Sequence, residues 1–168
     1  MTPGAPVEAE ACPGCGAVFP GTGAEATPQL QASSGCWALY GDVLAREYGE
    51  WGFPAIHRLT VDTYGAQHPA PRSRRSIQAT AGHLMGLHLW LERGVEPTRI
   101  ARELGRVAVR PSEFHWLEPP PAGSALTIRD VEGAANLHDH TSRVERWARS
   151  VWESWSDHHE TLRHWAGR

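Results

Sequence analysis

The sequence predicts a mainly α protein, a bundle of about five helices closed by a long C-terminal one and preceded by an irregular, zinc-knuckle-like segment. Three observations carry this. Apolar side chains recur at three- and four-residue steps in successive stretches from residue 36 to residue 165, the spacing that gathers them on one helix face. Gly49, Pro69 and Gly94 fall between those stretches, where a helix must stop. Before residue 36 the periodicity is missing, and glycines at 14, 16, 21, 23 and 35 with prolines at 13, 20 and 28 make a turn-rich text.

Residues 1–11 (MTPGAPVEAEA) show no periodicity and read as a disordered tail, leaving 12–168 as one helical domain with a Cys-rich segment at 12–36. That segment has too little apolar surface to offset the entropy of ordering it, so something must pin it. A first helix is predicted from Cys36 to Tyr48, capped by Ser33 or Ser34, with Trp37, Tyr40, Val43, Leu44 and Tyr48 at helical spacing. A second starts at Pro54, suited to a first turn, and ends at Gln67 before Pro69. A third, Ser76 to Arg93, is apolar nearly all round, which marks a central helix. A fourth, Pro97 to Val107, turns Ile100, Ala101 and Leu104 inward beside arginines 99, 102, 106 and 110.

Residues 109–135 read as irregular, with Pro119–Pro121 as a rigid spacer and Leu126–Arg129 as a short candidate strand. The last helix, Leu137 to Trp165, carries Val144, Ala148, Val151, Trp155, His158, Leu162 and Trp165 along one stripe. At ~1.5 Å per residue it would be about 40 Å long.

Composition narrows the function classes. A net charge of −3 gives no electrostatic footprint for nucleic acid or acidic lipid. All 16 of the Lys and Arg residues are arginine. Replacement of Lys codons in a GC-rich genome explains this, and a surface built for bidentate anion contacts is the other reading. No apolar run is long enough to span a membrane, and the first thirty residues hold glutamates but no basic residue. The expected location is therefore cytoplasmic, where Cys-x-x-Cys reads as a metal or redox site and not as a structural disulfide.

The cysteines carry the most specific chemistry. Cys12-Pro-Gly-Cys15-Gly resembles half of a zinc knuckle, in which a tight turn brings two thiolates to one ion. Cys36 is the chain's 3rd and last cysteine. The first two helices are joined by a short link and should lie antiparallel, which brings the start of the first, Cys36, beside the end of the second, His68. His57 lies at the far end, about 16 Å away. The predicted zinc ligands are thus Cys12, Cys15, Cys36 and His68. The alternatives are three ordinary reduced thiols, or a redox pair at Cys12 and Cys15, though redox motifs favour a strand–motif–helix setting absent from this text.

Among 10 histidines, three invite a second site. Running back along the second helix, the third should set His83 level with Asp62, a pairing that would hold the imidazole in one tautomer. Convergence of His57, His83 and His158 or His159 would make an open three-histidine metal site able to activate water or a thiol. The bland reading is that each satisfies its own buried hydrogen bond. His138-x-His140 is weaker, since residues two apart on a helix face different ways. The tryptophans at helical spacing read as core, with a ligand-pocket lining as the alternative.

Four stretches also carry a resemblance: CPGCG at 12–16, GCWALYGDVLAREY at 35–48, HRLTVDTYGAQHP at 57–69, and VxxWAxxVWxxW at 144–155. Together they look like a family of short bacterial proteins known only as a domain of unknown function, with the likeness spanning residues 12–165. The resemblance implies a shared fold and supplies no activity.

Three functions follow as expectations. One is a module with a structural zinc ion that binds an unidentified small molecule or protein partner. The second is a metal-dependent enzyme, of hydrolase or thiol-transferase type, with Asp62, His83, His57 and His158 as candidate catalytic residues. The third is a Cys-x-x-Cys redox sensor.

Overall fold

The computed structural model describes residues 8–24, 30–107 and 111–167, with the side chain of Val107 set aside. Most of the expected N-terminal tail, residues 25–29 of the Cys-rich segment, and Arg110 lie outside the described residues. The chain opens with an antiparallel hairpin, β1 (Ala9–Ala11) and β2 (Val18–Pro20), registered Ala9 to Pro20 and Ala11 to Val18. Among the described residues six helices follow: α1 (Ser34–Gly49), α2 (His57–Gln67), α3 (Arg74–Leu91), α4 (Pro97–Val107), α5 (Leu137–Ser154) and α6 (His159–Trp165). The fold is the mainly helical bundle that the periodicity predicts.

Local chemistry sets the boundaries. Ser33 caps α1 by accepting from the Cys36 amide at 3.2 Å. Ser73 and Ser76 form a reciprocal capping box that starts α3. Asn136 caps α5 through the Asp139 amide at 2.9 Å. α3 is the central helix, with residues 84–89 all buried, so no side of it faces water for more than a turn there. Its neighbours α2, α4, α5 and α6 surround a core that includes Leu59, Tyr64, Leu84, Leu87, Ile100, Trp147, Val151 and Leu162.

Four expectations need correction. Residues 9–11 are not tail but the first strand of the hairpin, and residues 18–20 pair with them. A three-residue strand is too short to show an alternating pattern. The second helix starts at His57 rather than Pro54, because Pro54 and Ile56 close tight turns in which the Pro54 and Ile56 carbonyls accept from His57 and Leu59. Leu126–Arg129 forms no strand; Thr127 and Asp130 cap one another around a 3-10 turn at Ile128–Asp130.

The fourth concerns the single long C-terminal helix, which is two helices. At Trp155 the backbone leaves the helical region (φ −94, ψ 16), and a 3-10 turn at Ser156–His158 leads into α6. The break is satisfied locally: the Trp152 carbonyl accepts from the Trp155 amide at 3.0 Å and from His159 Nε2 at 2.9 Å. The His159 ring also stacks on Trp152, with ring centroids 3.9 Å apart. The bend turns Leu162 and Trp165 onto α3 and Phe114 instead of extending the stripe into solvent. Among the described residues no helix is long and apolar enough to cross a membrane.

Candidate metal centre

The β1–β2 hairpin presents its loop, Cys12–Ala17, to the start of α1 and the end of α2. The Cys12 amide donates to Ala17 O and the Gly16 amide to Cys12 O, both at 2.8 Å, which curls the loop so that both sulfurs face the same way. Gly14 is required by close approach: a Cβ there would run into the Gln31 carbonyl and the His68 ring. Cys36 sits one turn into α1, held by the Ser33 cap, and His68 follows the last residue of α2.

These elements bring Cys12, Cys15, Cys36 and His68 together, with all four ligand atoms within 4.8 Å of one another and all four residues buried. The three thiols are free, not bonded as disulfides. Cys15 Sγ lies 3.9 Å from Cys36 Sγ, and Cys36 Sγ lies 3.4 Å from His68 Nε2. Two sulfurs each ~2.3 Å from a tetrahedral zinc ion sit about 3.8 Å apart, so the spacing is that of a zinc coordination edge. His68 Nδ1 donates to the Tyr64 carbonyl at 2.9 Å, which leaves the Nε2 lone pair aimed at the sulfurs. The Tyr64 hydroxyl lies 3.4 Å from Cys36 Sγ, and its ring stacks between Tyr40 (3.8 Å) and His68 (4.0 Å).

Electrostatics shows what the cluster lacks by itself. Hydrogen bonds from the Cys15 and Cys36 thiols hold the Cys12 thiol far below its ordinary range. The bond to Cys12 in turn pushes Cys15 up to about 11 and raises Cys36. Three adjacent sulfurs cannot all be thiolates without a counter-charge. A divalent cation would supply that counter-charge, and a donor set of soft sulfurs and one imidazole is one that zinc accepts.

The other predicted residues divide. Asp62 and His83 do pair, Nδ1 to Oδ1 at 2.9 Å, and Arg58 Nε donates to the other Asp62 oxygen at 2.8 Å. Gly86 on α3 makes room for this, since a Cβ there would collide with the Asp62 carboxylate. The three-histidine site does not form, because each imidazole is committed elsewhere. His57 bonds Glu47 at 2.6 Å, His158 donates to the Glu118 carbonyl at 2.9 Å, and His159 is taken by the Trp152 carbonyl. Among the described residues, the Cys3His group is the one set of three or more such side chains able to share an ion.

A second polar centre escapes the sequence reading. Glu47, wholly buried, accepts from His57 Nδ1 at 2.6 Å, His140 Nε2 at 2.7 Å and Thr60 Oγ1 at 2.6 Å. Burial pushes its carboxyl up, but the bonds from His140, Thr60 and His57 outweigh it and hold the group below its ordinary range. The available signal is spacing: Cys36 and Glu47 are eleven residues apart, as are His57 and His68, and eleven residues make three helical turns. Of the tryptophans, Trp147, Trp152, Trp155 and Trp165 are core, while Trp37 is exposed and Trp116 half-buried.

A family model described as a family of unknown function (DUF5946) matches residues 10–156, a span that takes in the whole metal-centre quartet. No curated protein and no solved structure matches the chain.

Proposed function

The chain belongs to this family of unknown function, and from its own residues we propose a helical module, stabilised by a structural zinc ion, that binds a small ligand or protein partner. The observation that carries the metal is the buried quartet, whose four ligand atoms lie within 4.8 Å of one another. Cys12 and Cys15 from the hairpin, Cys36 from α1 and His68 from the end of α2 would complete a closed four-ligand shell. Closed shells are structural, whereas catalytic zinc keeps a position open. The ion's contribution is to offset most of the charge of three adjacent thiolates and so tie the hairpin to the helices. Tyr64 supports the shell by donating to Cys36 and by fixing His68. The binding role is supported by a cavity of about 230 Å³ that opens beside the knuckle at Gly14 and Cys15. The charge balance favours neither nucleic acid nor an acidic bilayer as partner.

The test is metal content. Purified wild type is expected to carry one equivalent of zinc, Cys15→Ser to lose most of it, and His83→Ala to keep it. Wild type that is metal-free yet fully stable would overturn the metal reading.

A further inference from the structure

The cavity beside the knuckle has a consistent chemical character. Two helices end at its wall: α2 at Ala66–Gln67 and α5 at Ser154, with Trp155 just beyond. Helix C-termini carry the negative end of the backbone dipole. Five prolines line the same space, at 13, 69, 119, 120 and 121. Each contributes a carbonyl and no N–H, so the backbone there is rich in acceptors and poor in donors.

The side chains agree with the backbone. Among the described lining residues there is no arginine and no histidine, although the chain holds 16 and 10 of them. The one charged lining residue is Glu118, on the rim, whose Oε2 accepts from Trp116 Nε1 at 2.9 Å. Cys15, a member of the metal-centre quartet, also lines the cavity, and three thiolates around one zinc dication would leave a net charge of −1 at that quartet. Two indoles complete the wall. Trp116 is half-buried, and Trp155 is 1% exposed with a buried Nε1 that has no hydrogen-bond partner. Indole faces attract organic cations, by ~0.5–2 kcal/mol depending on desolvation. An unpartnered buried N–H asks for an acceptor.

We propose that this cavity binds a small organic ammonium ion that also carries a hydrogen-bond acceptor. The ammonium lies against Trp116 and Glu118, where carbonyls and helix C-termini favour positive charge. The acceptor atom faces the Trp155 side. The assignment rests on the ligand-binding reading above and names its ligand class.

Choline is the probe, with its neutral isostere 3,3-dimethylbutan-1-ol and acetate as controls, each titrated into the full zinc-containing chain by calorimetry. Choline should bind at least tenfold tighter than either control. Glu118→Gln and Trp116→Ala, both at incompletely buried positions, should each weaken choline about tenfold while leaving zinc content and melting temperature unchanged. Equal binding of choline and the neutral alcohol, tighter binding of acetate, or no binding of any probe would overturn the proposal. So would choline binding that is indifferent to both substitutions. Zinc content is measured on the same samples. A zinc-free protein that still selects choline through Glu118 would support this site and overturn the metal reading alone.

Discussion

The antiparallel pair α1–α2 carries a buried polar centre at each end, built on the same plan from opposite chemistry. Each helix offers one group at either end, eleven residues or about 16 Å apart: Cys36 and Glu47 on α1, His57 and His68 on α2. At one end Cys36 meets His68 and the hairpin brings Cys12 and Cys15. At the other, Glu47 meets His57, and α5 brings His140. The Glu47 end is complete as it stands, because one carboxylate and its three donors satisfy one another. The Cys36 end, on the reading proposed above, is not, because three thiolates there would oppose one another's ionisation without a cation. A centre that closes on itself braces helices. One that closes only around an ion can tie down a segment that adds little to the core, and the described part of 12–35 adds only Phe19 and Ala32 beside its two cysteines.

The largest effect should therefore come from opening the Cys36 end. Structural zinc sites supply ~10–16 kcal/mol in isolated finger peptides, and even part of that is large beside a typical ~5–15 kcal/mol folding stability. Cys36→Ser, or wild type under strong chelation, should lose about 20 °C or more of melting temperature and gain protease cleavage between residues 12 and 35. Unchanged melting and cleavage would remove the contrast between the two ends.

Glu47→Gln breaks the other end, with a smaller effect. Removing a buried, hydrogen-bonded charge costs ~3–5 kcal/mol, or roughly 6–20 °C at ~2–4 °C per kcal/mol for a chain of this size, and should leave zinc content untouched. The pH dependence has a definite sign. Glu47 is held below its ordinary value of 4.5 in the fold, so its contribution is complete above that value and fades as pH falls through the folded one. The gap between wild type and Glu47→Gln should narrow in acid, as urea midpoints measured from pH 7 downward would show. A gap that widens in acid would mean that the carboxylate is not the group that stabilises this end.

The two ends were not equally legible. Cysteine is scarce and its pairings few, so CPGCG and Cys36 announce a site, and antiparallel packing of two adjacent helices selects His68. Asp62 and His83 follow from the same register argument. Glu47 offers only its eleven-residue spacing from Cys36, since glutamate is common on helix surfaces and its partner His140 lies ninety-three residues away, on α5. The helix break at Trp155 is hidden for a related reason: the apolar stripe continues in phase across it, while the groups that stabilise it, Trp152 and His159, become neighbours only after the chain bends. The β1–β2 hairpin is invisible because three-residue strands have no period to read.

Tyrosines flank the two centres and set the finest comparison. Tyr64 is buried against Cys36 Sγ at 3.4 Å, while Tyr48 is 53% exposed with its hydroxyl 3.2 Å from His57 Nε2. Loss of an outer hydrogen bond to a metal ligand typically costs 10–100-fold in affinity. Tyr64→Phe should thus weaken zinc about tenfold in a competition titration, with little change in fold because the ring stack on Tyr40 and His68 remains. Tyr48→Phe should do least of all. His57 keeps its bond to Glu47 through Nδ1, which fixes the tautomer, and water can replace a half-exposed phenol at Nε2. The expected change in unfolding free energy is below about 0.5 kcal/mol, as for most surface substitutions. A loss several times larger would mean that Tyr48, His57 and Glu47 act as one coupled chain reaching the surface. The Glu47 end would then be a relay and not a brace.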